Sequence, residues 1–292
     1  MNILTFDIEE WYIDERQGWL TPDKRTEYDT QLEKILDVLD EHKYKATFFC
    51  VGKMATHFPE VIKKIEKRGH EIGCHSNTHQ WLNKMNKDEG RYDTKEAIEA
   101  LEQCIGKKIV SYRAPAFSIG EYNKWAFEVL AENGILYDSS VYPANRDFGG
   151  FPHFGSQEPT IIKHEGISLR EYPIPLCHFA GSKFAYSGGG YLRFFPVAFV
   201  KKLMMHNDYA MIYLHIADLV PEANGVMSKK EYEAYFKEEG TIYAHYKRYF
   251  KANFGKKKAW NKLTSLLSSM TFESMQMASQ TYDWDKAKVV KI

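Results

Sequence analysis

The 292-residue sequence predicts an α/β fold, a parallel sheet or barrel with helices outside it. Short apolar runs alternate with longer amphipathic ones, and several of the short runs end in a residue with chemical capacity. In chain order, residues 2–6 (NILTF) read as a short buried strand. Residues 30–42 carry Leu32, Ile35, Leu36 and Leu39 at helical spacing. KATFFCVG (45–52) is a second strand, 58–68 a helix, and HEIGCH (70–75) a third strand. Residues 93–105 read as a helix, KIVSYRAP (108–115) as a strand stopped by proline, 122–133 as a helix, and GILYDSS (134–140) as a fifth strand. From 141 to 192 the alternation breaks. Gly, Pro and aromatic residues dominate there, with strand-like TIIKH and LREYPIP, so an insertion or a set of long loops is expected. PVAFVKKLMMH (196–206) then reads as a helix and YAMIYLHIADL (209–219) as a late buried strand. Residues 229–249 and 256–268 read as outer helices, the second with Trp260, Leu263, Leu266, Leu267 and Met270 on one face. One domain over 1–292, with a helical extension at 229–292, is the simplest organisation.

Composition narrows the function classes. Hydrophobic residues make up 44% and charged residues 27%, ordinary for a globular protein. Thirty-nine basic residues balance thirty-nine acidic ones, which argues against a nucleic-acid partner held by bulk charge. Cys50, Cys74, Cys104 and Cys177 form no C-x-x-C pair and suit free thiols better than a disulfide framework. The N-terminus lacks a basic leader region, and no apolar run approaches ~18 residues. No membrane span and a cytoplasmic location are therefore expected.

The candidate site comes from the strand ends. The first strand runs into Asp7, Glu9 and Glu10, and three acids there need positive charge to meet them. The third runs into His75 and His79, the fourth into Arg113, the fifth into Asp138 and the late one into His215. Parallel β/α architectures collect active sites at these carboxyl ends. His75 and His79 are spaced H-x-x-x-H, so a helical turn would aim both imidazoles one way. Two histidines and a carboxylate make a facial site for zinc or another divalent metal. The other histidines have no partner motif. SGGGYLR (187–193) reads as a simple loop, and Arg193 equally as an ion pair or an anion contact. Phe117, Tyr213 and Leu214 read as core, with an apolar slot as the alternative.

These residues resemble the polysaccharide deacetylases of the NodB type, the family 4 carbohydrate esterases. Five stretches carry the likeness: TFDIEEW (5–11), HSNTH (75–79), RAPAFS (113–118), YDSS (137–140) and YLH (213–215). SGGGYLRFFP further resembles a subgroup found with exopolysaccharide and surface-glycan synthesis. The resemblance implies a distorted (β/α) barrel of about seven strands that removes N-acetyl groups from amino sugars. It implies Asp7 as general base, His75 and His79 as metal ligands, and Arg113 as the residue that holds the base. It also implies His215 as general acid and Asp138 as the residue that orients it. The family's usual adjacent aspartate pair is absent, since position 8 is Ile. Strand alternation puts Glu9 on the face of Asp7, making Glu9 the expected third ligand, with Glu10 facing away. Zinc is the expected ion, with cobalt or nickel as alternatives, and an N-acetylated sugar or oligosaccharide the expected partner. A metal-free hydrolase of cyclic ureides and an inactive glycan-binding protein are the competing expectations.

Overall fold

The computed structural model describes residues 1–292 apart from 147, 180, 181, 222–224, 237 and 238. Eleven strands occur among the described residues: β1 Asn2–Ile8, β2 Thr47–Cys50, β3 Glu71–Cys74, β4 Ser111–Tyr112, β5 Tyr137–Asp138, β6 Thr160–His164, β7 Ile167–Glu171, β8 Leu176–Phe179, β9 Ser182–Ala185, β10 Ala210–His215 and β11 Lys288–Lys291. Nine form one sheet in the order β10-β1-β2-β3-β4-β5-β7-β6-β11, and β8 and β9 pair as a separate hairpin. The first seven strands of that order run parallel, as the alternating pattern predicts.

The hydrogen-bonded ladder does not close, yet the sheet is rolled into a distorted (β/α) barrel. One side chain shows this. Arg113, just past β4, reaches Thr5 and Asp7 on β1, Ser139 after β5 and Met211 on β10, and its guanidinium lies 4.3 Å from the Phe49 ring centre on β2. In a flat sheet β4 and β10 would stand roughly 19 Å apart, at about 4.8 Å per strand. Contacts of about 3 Å from one side chain to both require the sheet to curl around it.

Local sequence sets the helices. Pro22–Glu41 starts with Pro at its first turn, and the Thr21 side chain accepts from the Lys24 N–H. It buries Tyr28, Leu32, Ile35, Leu36 and Leu39. Lys87–Ile105 begins with a capping box of Asn86 and Glu89 and ends at Gly106, whose φ of 69° suits glycine. The helix predicted at 58–68 is present as Pro59–Lys67, and a short helix not predicted, Gly52–His57, precedes it.

Four expectations are corrected. Strands expected at 108–115 and 134–140 shrink to two residues each, because Pro115 and the site loops take over the backbone. Residues 141–192 are not merely inserted, since β7 pairs with β5 and extends the main sheet. The late strand stops at His215, and Ile216–Leu219 turns helical. The C-terminal extension is not wholly helical: β11 pairs with β6 at the sheet edge. Residues 229–249 hold parts of two helices, Lys229–Phe236 and Ile242–Asn253, while 237 and 238 lie outside the described residues.

Glycine at position 73 keeps the barrel interior open under Arg113. A Cβ there would stand 2.5 Å from Phe49 Cδ1 and 2.8 Å from Cε1. Gly73→Ala is expected to lower stability by about 1–3 kcal/mol through overpacking, measured by urea denaturation.

Candidate active site

β1 delivers Asp7 into the barrel mouth, where it is nearly fully buried. Arg113 Nη1 donates to Asp7 Oδ1 at 2.8 Å and to Thr5 Oγ1 at 2.8 Å. Arg113 itself is fully buried, so the pair meets the burial of both charges with hydrogen bonds and the Phe49 ring face.

The strand does not run on through Glu9. Glu9 adopts φ −141°, ψ −25° and opens the helix Glu10–Gln17. Its carboxylate nevertheless turns toward the histidines. Glu9 Oε2 lies 2.7 Å from His79 Nε2 and 3.3 Å from His75 Nε2, and the three residues have ligating atoms within 4.8 Å of one another. Burial alone would raise the Glu9 carboxyl, but His79, His215 and His75 outweigh it and hold it well below the usual range. Glu10, expected to face away from Asp7 and Glu9, does not ligate with the histidines. It is buried, its Oε1 accepts from the Ala217 N–H at 2.8 Å, and burial pushes its carboxyl up to about 7 against the pull of His215.

The two histidines come together without the expected helical turn. HSNTH is a loop in which Ser76 (φ 60°) and His79 (φ 58°) both occupy the left-handed region. Such conformations in non-glycine residues cost of order 1 kcal/mol or more each and need surrounding support. The support is visible. Gly52 and Lys53 N–H groups donate to Ser76 O at 2.8 Å and Asn77 O at 3.0 Å, Asp93 Oδ2 accepts from the Asn77 N–H at 2.9 Å, and Arg16 Nη1 donates to Thr78 O at 2.8 Å.

His75 also carries a tautomer assignment. Its Nδ1 lies 2.7 Å from the Arg113 carbonyl oxygen, which can only accept, so Nδ1 bears the proton. In the neutral ring Nε2 is then a lone pair aimed at Glu9 Oε2, which is buried with no hydrogen bond. Two acceptors facing each other at 3.3 Å call for a cation between or beside them. The Nδ1–H bond to a backbone carbonyl is also the usual outer support of a metal-ligating histidine. The residues thus fit a divalent ion.

His215 ends β10 opposite Asp7. Its Nε2 lies 3.6 Å from Glu9 Oε1 and 3.9 Å from Asp7 Oδ2. Burial would lower the imidazole's affinity for protons, but Glu9, Asp218 and Asp7 raise it well above its ordinary value. The residue that holds the ring is not Asp138. Asp218 Oδ2 lies 3.3 Å from His215 Nδ1 and accepts from the His215 N–H at 3.0 Å, while Arg193 Nε lies 3.1 Å from Asp218 Oδ1. Arg193 is buried and also donates to the carbonyls of Gly189, Lys251, Ala252 and Phe254. SGGGYLR is therefore no simple loop. A Cβ at Gly189 would fall 1.8 Å from Asp218 Oδ2, and one at Gly188 would fall 2.1 Å from Tyr213 Cζ. The signal in the sequence was the spacing His215–Asp218, three residues on a turn, together with a glycine run followed by arginine.

Asp138 points elsewhere. Its Oδ1 accepts from the Ser140 hydroxyl at 2.6 Å, and its neighbour is the Glu171 carboxyl, whose Oε1 accepts from the Val141 N–H at 3.0 Å. Both carboxyls are fully buried. Two neighbouring carboxyls out of water disfavour being ionised together. Burial pushes Asp138 up to about 6, and burial together with Asp138 pushes Glu171 well above the usual carboxylate range. Phe117 and Tyr213 pack edge to face at 5.1 Å within the same interior cluster as Phe49, whereas Leu214 belongs to the outer core. The structure thus brings together Asp7, Glu9, His75, His79, Arg113 and His215, and leaves Asp138 apart.

A model of the polysaccharide deacetylase family matches residues 4–137, and a second, a domain of unknown function (DUF3473), matches 139–280. The chain is 42% identical over 109 residues to a peptidoglycan-N-acetylglucosamine deacetylase of Bacillus cereus, covering 37% of this chain and 38% of that protein. It is 33% identical over 98 residues to a chitooligosaccharide deacetylase of Sinorhizobium fredii, covering 33% and 43%. The matched parts span less than half the length of either relative. A crystal structure of a Mycobacterium smegmatis protein assigned as a polysaccharide deacetylase superposes with a TM-score of 0.66 at 20% identity. It covers 100% of this chain and 92% of that one, so the fold is shared across both matched regions.

The Asp138–Glu171 pair makes stability depend on pH. Both groups bind protons more tightly folded than unfolded, so their contribution is complete below the unfolded carboxyl values near ~4 and is lost as pH rises through about 6 and beyond. Glu171→Gln keeps an acceptor for Val141 N–H and supplies a permanent donor to Asp138. The expected result is a variant whose stability relative to the parent improves between pH ~5 and pH ~8, read by urea denaturation across that window. A pH-independent difference would refute the raised proton affinity of the pair.

Proposed function

Residues 4–137 belong to the polysaccharide deacetylase family, and from that premise we propose that the chain is a metal-dependent hydrolase removing the N-acetyl group from an amino sugar of a glycan or glycan precursor. The observation that carries the reading is the His75 lone pair aimed at buried Glu9 beside His79. Glu9, His75 and His79 would hold the ion, zinc being the best match to two imidazoles and a carboxylate. The ion would supply Lewis acidity at the acetyl carbonyl and at an attacking water.

The remaining chemistry belongs to the chain's own side chains. Asp7, with Oδ1 engaged by Arg113, has Oδ2 open toward His215 and serves as the base that takes the water's proton. Arg113 pairs with that carboxylate and fixes its aim. His215 Nε2 faces the same space and donates a proton to the departing sugar nitrogen, its other ring nitrogen held by Asp218. The phenyl and phenol rings of Phe117 and Tyr213 border this space and exclude water from it.

Elemental analysis of the purified protein is expected to find about one zinc-like ion per chain, and acetate release is expected from N-acetylglucosamine oligomers. Full activity after the metal is stripped would overturn the reading. Glu9→Gln is expected to weaken zinc binding strongly in equilibrium dialysis, because a neutral amide is a poor ligand for a dication, while Glu10→Gln leaves it nearly unchanged. Asp218→Asn is expected to lower kcat by about tenfold or more at unchanged KM, within the ~10²–10⁴-fold scale of general acid catalysis, whereas Asp138→Asn leaves kcat nearly intact. The reverse ranking would return the orienting role to Asp138.

A further inference from the structure

The helix Ile242–Asn253 has its amphipathicity inverted. None of its residues is buried. At 100° per residue, Tyr249, Ile242, Tyr246, Phe250 and Tyr243 share one side, with Asn253 among them at the last position, and Phe254 extends it beyond the C-terminus. All six large hydrophobic residues are exposed, from 36% for Tyr249 to 78% for Ile242. The side turned to the protein carries Ala244, His245 and Arg248 instead. His245 packs on the Tyr232 ring at 4.5 Å, and Arg248 lies 4.4 Å from the Phe148 ring centre. Exposed Phe194 continues the stripe, its ring 5.6 Å from that of Phe254. A surface helix in water normally does the opposite, and a contiguous aromatic patch of this kind marks an interaction site.

Charge selects the occupant. From Gly240 to Lys258 the chain holds no Asp or Glu, in a protein whose formal net charge is zero, and of its six cations Arg248 faces the protein and Lys256 is buried, while Lys247, Lys251, Lys257 and Lys258 are exposed. Lys247 lies at the edge of the aromatic stripe, and exposed Lys257 and Lys258 follow just beyond Phe254. Tyrosine and phenylalanine bordered by lysine is the chemistry of a segment lying in the headgroup layer of an anionic bilayer, with rings at the interface and ammonium groups on the phosphates. No described helix is long and apolar enough to cross a membrane, so the contact would be peripheral.

We propose that the helix Ile242–Asn253, with Phe254 and Phe194, is a docking face for an anionic lipid surface. The helix is tied to the catalytic centre by Arg193, which donates to its last carbonyls on one side and pairs with Asp218 on the other. The proposal stands without the deacetylase reading, because it is tested by binding alone.

The test is co-sedimentation of the full chain with vesicles of phosphatidylcholine containing about one-third phosphatidylglycerol, against vesicles of phosphatidylcholine only, at low and high salt. Binding is expected to the anionic vesicles, to weaken with salt, and to fall by about fivefold for each lysine removed in Lys247→Gln and Lys257→Gln. Tyr246→Ser combined with Phe250→Ser is expected to abolish binding while circular dichroism and thermal melting stay unchanged, both side chains being exposed. Absence of binding, equal binding to neutral vesicles, or binding indifferent to these variants would each overturn the proposal. So would concentration-dependent dimerisation in sedimentation analysis that the Tyr246/Phe250 variant removes, since the face would then serve a second copy of the chain.

Discussion

A fully buried arginine is the constraint around which this protein is arranged. Arg113 cannot lose its charge, and an unpaired buried guanidinium would cost several kcal/mol, so every neighbour must answer it. Asp7 supplies the counter-charge, Thr5 and Ser139 supply acceptors, and the face of Phe49 supplies a π surface. These groups come from strands that a flat sheet would keep far apart. The curvature of the barrel and the fixed aim of Asp7 are therefore one fact seen twice. The Arg113 backbone carbonyl extends the same control to His75 by choosing its tautomer.

Acids outnumber fixed cations at the barrel mouth. Asp7, Glu9, Glu10 and Asp218 converge, while Arg113 and Arg193 are the arginines that engage them. The surplus leaves its mark on each group. His215 is pulled toward its charged form, Glu10 is pushed up to about 7, and Glu9 stays ionised only because histidines face it. A divalent ion among Glu9, His75 and His79 would relieve this imbalance. The strained HSNTH loop shows that position is maintained at a cost, with Asp93, Gly52, Lys53 and Arg16 supplying the restraint.

The second half of the chain is part of this machinery. The family match ends at residue 137, yet β7 and β10 stand in the same sheet as β1 to β5. His215, Asp218 and Arg193 all lie beyond that boundary. The glycines at 188 and 189 serve this end of the site, since side chains there would collide with Tyr213 and Asp218. Asp138 meanwhile sits buried beside Glu171 and accepts from Ser140 behind the site, a structural use for the carboxyl assigned to the histidine from the motif alone.

The sequence by itself determined the α/β class, the run of parallel strands, and six polar groups at the mouth: Asp7, Glu9, His75, His79, Arg113 and His215. Those were legible because strand ends and short motifs are local, and because apolar alternation reports burial directly. It also pointed to Glu9 as the acid beside the histidines, although by the wrong route, since the chain leaves the strand at Ile8 and reaches them from a helix start. Only the tertiary structure decided that His75 and His79 meet across a left-handed loop, that Asp218 and not Asp138 holds His215, and that β7 and β11 join the main sheet. Each depends on packing between segments distant in sequence, such as Gly189 against Asp218 or Gly52 against Asn77, where neither partner's own neighbourhood carries a trace of the other. The outward aromatic face of Ile242–Asn253 was hidden for the same reason: periodicity tells which residues share a side of a helix, and the surrounding fold decides which side meets water.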